Sequence, residues 1–225
     1  MKTDDDELAA LAYSISHDLR APLRIIGGFS DALAEDYHDR LDADGLEYLQ
    51  RIREAGRRME SLVDAVLEYS RVSRAPLREE TVDVSAIAAE VSRALEQSDP
   101  SRRVEFSIEP SLVVIGDRAL LRLALEHLLA NAWKFTRRHP IARIEVGGAT
   151  EDGRRVIFVR DDGAGFDPAY AGRMFSLFQR FHPESEFGGV GAGLALVRRI
   201  VSRHGGRVWA DGRVEGGATV YIDLT

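Results

Sequence analysis

The sequence predicts two domains: an all-α helical hairpin that dimerises into a four-helix bundle over residues 1–75, and an α+β sandwich over residues 76–225. Three observations carry this expectation. Two long segments place apolar residues at steps of three and four, the spacing of one helix face. Ser73-Arg74-Ala75-Pro76 then breaks the pattern and reads as a hinge. Beyond it, strand-length apolar runs intersperse with shorter helical stretches, as in one sheet with helices over one face.

The first helix is predicted from about Glu7 to Tyr37, with a stripe at Leu8, Leu11, Ile15, Leu19, Leu23, Ile26, Phe29, Leu33 and Tyr37. His17 falls about 200° around the helix from both Ile15 and Leu19, so it is expected to point to solvent. Pro22 removes a helix hydrogen bond and crowds the Asp18 carbonyl, which should loosen the turn beside His17. His38-Asp39-Arg40-Leu41-Asp42 reads as a short polar turn. The second helix runs from about Ala43 to Val72, with Leu46, Leu49, Ile52, Met59, Leu62, Val63, Val66 and Tyr69 on its stripe. A loop this short makes the helices antiparallel. A lone hairpin cannot cover two wide apolar faces, and a symmetric homodimer is the economical solution.

In the second domain Val82-Asp83-Val84 starts as a strand and Ser85 is expected to cap a helix to about Gln97. Arg103 to Ile108 alternates as a strand, and Leu112 to Gly116 reads as a buried strand ending at Asp117, which can cap a helix to about Thr136. Ile141 to Val146 and Arg155 to Val159 are strands. A last helix, Leu194 to His204, is closed by Gly205-Gly206 and followed by a hairpin of Arg207–Ala210 with Thr219–Asp223.

Charge and composition narrow the function classes. The formal net charge is −7, and residues 1–75 carry most of it, with 10 Lys+Arg against 16 Asp+Glu. Nucleic-acid binding needs a basic footprint, and none is present. With no cysteine, disulfides and thiolate metal sites are excluded. No apolar run reaches the ~18 residues of a membrane span, and Met1-Lys2-Thr3-Asp4-Asp5-Asp6 has no signal-peptide character. A cytoplasmic location is the expectation.

Three segments carry chemistry. On the helix after Asp117, His127, Asn131 and Lys134 form a polar row separate from the core positions Leu121, Leu125, Leu128 and Ala132. Asn131 offers a neutral oxygen suited to Mg²⁺, and Lys134 a point charge for phosphate. Lys134 is one of only two lysines against 28 arginines, so it is unusual for this chain. Next, Asp161-Asp162-Gly163-Ala164-Gly165 ends a strand: a carboxylate there can accept from an exocyclic amine while glycines let backbone approach a flat ring. Third, Gly188-Gly189-Val190-Gly191-Ala192-Gly193 leads into a helix, where free N–H groups suit phosphate. Between the glycine elements, Phe175 and Phe178 are expected as core anchors, and the polar stretch after His182 as a mobile lid.

Taken in order with Ser16-His17-Asp18-Leu19-Arg20-Ala21-Pro22-Leu23, these segments resemble the H, N, G1, F and G2 boxes of two-component sensor histidine kinases, over nearly the whole chain. Their wording is most similar to phytochrome-related and PAS-linked kinases. The resemblance implies a Bergerat-type ATP-binding fold for the second domain. It implies His17 as phospho-accepting nucleophile with Asp18 orienting or deprotonating it, Asn131 on Mg²⁺ and Lys134 on phosphate. It further implies Asp161 on the adenine amine beside Gly163 and Gly165, Arg180 at the γ-phosphate, and Gly189, Gly191 and Gly193 as lid hinge and phosphate contacts. ATP and Mg²⁺ are the implied cofactors. A homodimer, the receiver domain of a response regulator and an upstream sensor domain absent from this chain are the implied partners.

The chain departs from the family pattern at four places around the nucleotide. His127 stands where an asparagine is usual, Val190 where a threonine is usual, Gly188 replaces a common acidic residue and Ala192 a larger aliphatic one. Ala21, four residues after His17, lacks the oxygen or amide that bifunctional members use to hold a hydrolytic water. The expected function is ATP-dependent autophosphorylation of His17 and transfer to a response-regulator aspartate. The rival is a dimeric phosphotransfer scaffold whose nucleotide domain is weakened.

Overall fold

The computed structural model describes residues 2–151, 153–181 and 186–224, with side chains from residue 14 onward except that of residue 17. The chain divides into two compact units, residues 1–74 and 75–225. The first unit is a hairpin of α1 (Lys2–Asp36) and α2 (Ala43–Arg74), joined through a short 3-10 turn at His38–Arg40. Helix α1 is continuous through Pro22. Its seam against α2 is narrower than the apolar stripe. Ser16, Leu23 and Ser30, seven residues apart, are buried, and Leu23 packs with Val63 and Leu67 of α2. Ion pairs Arg20–Asp64 (2.5 Å) and Arg53–Asp31 (2.7 Å) fix one antiparallel register. Among the described stripe residues Leu19, Ile26, Phe29 and Leu33 of α1 with Ile52 and Met59 of α2 stay exposed.

The second unit holds two sheets rather than the single one expected. Strand β1 (Glu80–Asp83) pairs antiparallel with β3 (Val113–Gly116) in a small two-stranded sheet. The main sheet has five strands in the order β2-β4-β5-β7-β6. These are β2 (Val104–Ile108), β4 (Ala142–Glu151), β5 (Arg154–Asp161), β6 (Arg207–Gly212) and β7 (Ala218–Asp223). Strands β2 and β4 run parallel, and the other neighbours are antiparallel. Helices α3 (Val84–Ser98), α4 (Arg118–Phe135) and α5 (Gly193–Arg203) cover the sheet. The core joins Ile144, Val146, Ile157, Val159 and Ile222 of the strands to Leu125, Leu128 and Leu129 of α4 and Val197, Ile200 and Val201 of α5. Burial alternates at the start of β4, from Ala142 through Ile144 to Val146, whereas the central strand β5 is buried continuously over Val156–Val159.

Local expectations were corrected at three places. Asp83, not Ser85, caps α3, accepting from Ala86 N at 2.9 Å. Ser85 Oγ instead donates to Glu109 O (2.7 Å) and accepts from Leu112 N (2.9 Å), tying the helix start to the β2–β3 loop. Val113 and Ile115 are exposed, because a two-stranded ribbon leaves one face open. Phe178 is also exposed and has φ of 62°, so only Phe175 joins the core, beside Phe166 and Ala210.

The end of α5 is tied to the start of the unit. His204 Nε2 accepts from Asp117 N (2.9 Å), which places the ring proton on Nδ1, facing Ile200 O at 2.8 Å. The Asp117 carboxylate caps α4 through Ala119 N and Leu120 N and accepts from Arg78 N at 3.0 Å. Arg203 donates to Ala75 O.

Candidate active site

The site is organised by the last two turns of α4. Asp117 starts this helix and Thr136 ends it, so Asn131 and Lys134 come to its C-terminal end on the polar row read from the sequence. Each of the last four carbonyls of α4, which lack helical partners, finds a donor. Thr136 N bonds Ala132 O (3.2 Å), Arg102 bonds Trp133 O, Arg137 N bonds Lys134 O (3.3 Å) and Ala164 N bonds Phe135 O (3.1 Å). The last of these bonds locks the glycine turn after β5 onto the helix end.

That turn shapes the first half of the site. Asp161 ends β5, half-buried, and its Oδ1 accepts from Gly163 N at 2.9 Å. Burial pushes its carboxyl up to about 6, against the hydrogen bonds from Gly163 and Ala218, which favour the charged form. Gly163 has no room for a side chain, since a Cβ would stand 2.5 Å from Phe135 O. Gly165 adopts φ of 60° and a Cβ there would meet Arg213 O at 1.9 Å. The turn before β7 braces the other side, with Gly217 N bonded to Gly163 O at 3.0 Å. Gly217 went unnoticed in the sequence because Gly216-Gly217 reads as an ordinary hairpin turn.

The second half gathers basic groups and the glycine-rich loop. Lys134 Nζ donates to Gly188 O at 3.2 Å and lies 4.3 Å from the centre of the Phe135 ring. Burial first, and the charge of Arg180 second, hold its ammonium below the ordinary lysine range. Arg180 donates to Phe187 O at 3.2 Å. Gly191 has φ of 73° and its carbonyl accepts from Phe178 N at 2.9 Å, so the segment carrying Arg180 is stitched to the loop. Gly189 has φ of 115°, beside Lys134 Nζ. Gly193 opens α5 against the His127 ring: a Cβ there would lie 3.1 Å from Nδ1. Ala192 offers no side-chain cap, which leaves the first N–H groups of α5 without a side-chain acceptor from that position. Phe187 is buried edge-on against Phe135 (5.0 Å) under Arg138, and Arg138 pairs with Glu186 at 3.0 Å. No motif announced this anchor.

The structure therefore brings Asp161, Gly163 and Gly165 together at one end of the α4 terminus, and Lys134, Arg180, Gly189, Gly191 and Gly193 at the other. Asn131 sits one turn before Lys134, half-exposed. His17 and Asp18 belong to α1 in the first unit: Asp18 is exposed, while the solvent-facing orientation expected for the His17 side chain lies outside the described residues. Of the expected lid stretch, Pro183 to Glu186, residues 183–185 also lie outside them.

Comparison with known proteins accounts for this arrangement. Residues 7–75 match the His Kinase A (phospho-acceptor) domain, and residues 116–225 match the histidine kinase-, DNA gyrase B-, and HSP90-like ATPase family. The chain is 31% identical to Cyanobacterial phytochrome A of Nostoc sp. over 100% of its own length and 29% of that protein. It is 37% identical to the methanogenesis regulatory histidine kinase FilI of Methanothrix harundinacea, over 97% of its length and 24% of FilI. The structure of full-length ShkA in complex with AMPPNP superposes with a TM-score of 0.66 at 26% identity, covering 96% of this chain and 45% of ShkA. The chain thus spans less than half of each of these three proteins. A phospho-acceptor hairpin followed by an ATPase-type sandwich places the chain in the sensor histidine kinase family, as its catalytic core.

Proposed function

We propose that this core binds MgATP in the second unit, phosphorylates His17 and passes the phosphoryl group to an aspartate of a response-regulator receiver domain. The observation that carries the reading is the shared support of two half-sites by one helix end. An amine-accepting carboxylate, Asp161, and a cationic pair, Lys134 and Arg180, are held on either side of the α4 terminus. Phosphoryl transfer needs mainly positioning and charge compensation, which this arrangement supplies. Asp161 accepts from the adenine amine while Gly163 and Gly165 leave space for the ring. Lys134 and Arg180 face the phosphates, with the start of α5 and Gly189, Gly191 and Gly193. Asn131 fits a hard cation as a neutral oxygen donor. Asn131 would hold the cation together with the nucleotide's own phosphate oxygens. Bound Mg²⁺ would offset phosphate charge.

In the transfer, the lone pair of an imidazole nitrogen of His17 forms the P–N bond as the bond from the γ-phosphorus to the bridging oxygen breaks. ADP departs, and the proton on the other ring nitrogen passes to Asp18. A neutral imidazole is competent at pH 7, since its ordinary pKa is ~6.5. The exposed apolar residues of α1 and α2 support a homodimer through residues 7–72. Among the described residues no helix is long and apolar enough to cross a membrane, in keeping with a cytoplasmic core. Incubation with γ-labelled ATP tests the reading. An acid-labile, alkali-stable label on His17 that chases onto a receiver domain is expected, and a chain that binds nucleotide yet takes no label would favour the scaffold role.

A further inference from the structure

We infer that Arg102 is a positioning residue for the nucleotide site, acting through the last turn of α4; the inference rests on the nucleotide-binding role proposed above. Arg102 lies in the loop between α3 and β2, outside every motif of the site. Its guanidinium reaches the α4 terminus by three contacts. One amino group donates to Trp133 O at 2.5 Å, the other to Thr136 Oγ1 at 3.1 Å, and the plane lies 4.3 Å from the centre of the Trp133 ring. Phe106 of β2 stacks parallel to the same indole at 6.2 Å. Thr136 is fully buried, and its hydroxyl lies 2.8 Å from Ala132 O and 3.2 Å from Trp133 O.

The position of this clamp gives it its consequence. Trp133 directly precedes two residues of the site's framework, Lys134 and Phe135. Phe135 O receives Ala164 N and touches Gly163, which in turn donates to Asp161. Removing the guanidinium takes the donor from Thr136 Oγ1 and leaves Trp133 O only the longer 3.2 Å approach of the Thr136 hydroxyl, which lies closer to Ala132 O, at a helix end where such groups must be satisfied from outside the helix. The turn then frays, and both half-sites hang on it: the Asp161 wall through Phe135 O and the phosphate side through Lys134. A planar fork is what serves two acceptors while stacking on an indole, and a lysine ammonium reproduces only part of that.

The test measures ADP and adenosine binding by calorimetry for the wild type, Arg102→Met, Arg102→Lys, Thr136→Val and Lys134→Met, at a temperature where circular dichroism shows each folded. Arg102→Met is expected to weaken ADP and adenosine alike by about tenfold, with Arg102→Lys and Thr136→Val losing less. Lys134→Met should weaken ADP and leave adenosine unchanged. In a Trp209→Phe background, Trp133 emission should shift in Arg102→Met before any nucleotide is added. If Arg102→Met does not fold, Thr136→Val decides. A folded Arg102 or Thr136 variant with lowered melting temperature but wild-type affinity for both ligands would overturn the inference alone. Absence of ADP binding by the wild type would overturn it together with the nucleotide-site reading.

Discussion

Asp161→Asn is expected to stabilise the nucleotide-free protein while weakening nucleotide binding, because the carboxylate is placed for a partner it lacks when no nucleotide is bound. Burial raises its carboxyl from an ordinary 3.8 to about 6. A group raised in the folded state contributes stability below its unfolded value, and that contribution is lost as pH rises through the folded value. Across this window the loss is about 3 kcal/mol at 1.36 kcal/mol per unit. At pH 7 asparagine avoids the cost of the buried charge. Its oxygen can still accept from Gly163 N, but the amide NH₂ cannot accept from Ala218, which returns about 1 kcal/mol. The variant should therefore be more stable at pH 7 by about 1–2 kcal/mol, and the gain should vanish near pH 4. Binding moves the other way: loss of a charge-assisted bond to the adenine amine costs ~1.5–3 kcal/mol, about 10- to 100-fold in affinity. Wild-type affinity should also fall about tenfold from pH 7 to pH 5 as Asp161 takes up a proton. The variant lacks this component, and comparing the two profiles cancels titration of the phosphates. Thermal melts and calorimetric titrations at pH 4, 5, 6 and 7 make the measurement. Parallel affinity profiles, or a variant less stable than wild type at pH 7, would refute the reasoning.

Three further outcomes are expected. His17→Gln should abolish labelling by ATP and leave ADP affinity within twofold, on the order of experimental scatter, because the two functions sit in different units; label retained on the variant would remove His17 from its role. Ile26→Asp with Ile52→Asp should yield a folded monomer by light scattering. Each isoleucine is 48% exposed, so the charges cost little within one hairpin but several kcal/mol in a dimer seam. Gly165→Ala should lower stability by about 3 kcal/mol or more, since φ of 60° and a backbone oxygen 1.9 Å from the added carbon leave no relaxed position. A melting curve matching wild type would show that the glycine turn can reorganise.

What the sequence made legible was local. The Asp117 cap, the Gly205 stop and the polar row on α4 depend on neighbours within a turn or two, and the structure has them where the spacing places them. Asp83 and Ser85 are both capping residues, and only the distant Glu109 and Leu112 decide which of them caps. Leu112 to Gly116 is apolar enough for a buried strand, but burial needs a covering element, and β3 pairs only with β1. The apolar stripe of α1 was legible as a whole, yet its division between hairpin seam and open face depends on how α2 packs. The motif residues of the two half-sites were legible through their order along the chain. Arg102, Phe187 and Gly217, which hold those half-sites in place, carry no pattern of their own because each acts across a tertiary contact.

The scarcity of lysine has a practical consequence. A lysine-specific protease has two sites in the whole chain, after Lys2 and after Lys134, and the second lies inside the proposed nucleotide site. Lys134 is in the last turn of a helix whose carbonyls are all engaged, so the bond after it is cut only when that turn opens. Where opening and closing are fast relative to cleavage, the cutting rate follows the open population. A ligand that binds only the closed form lowers that population by its occupancy, about a hundredfold at a concentration one hundred times Kd. The chain thus carries a built-in footprint of its own ligand: one cut, two fragments of 132 and 91 residues after loss of the first dipeptide, and a rate that reports nucleotide binding without a label.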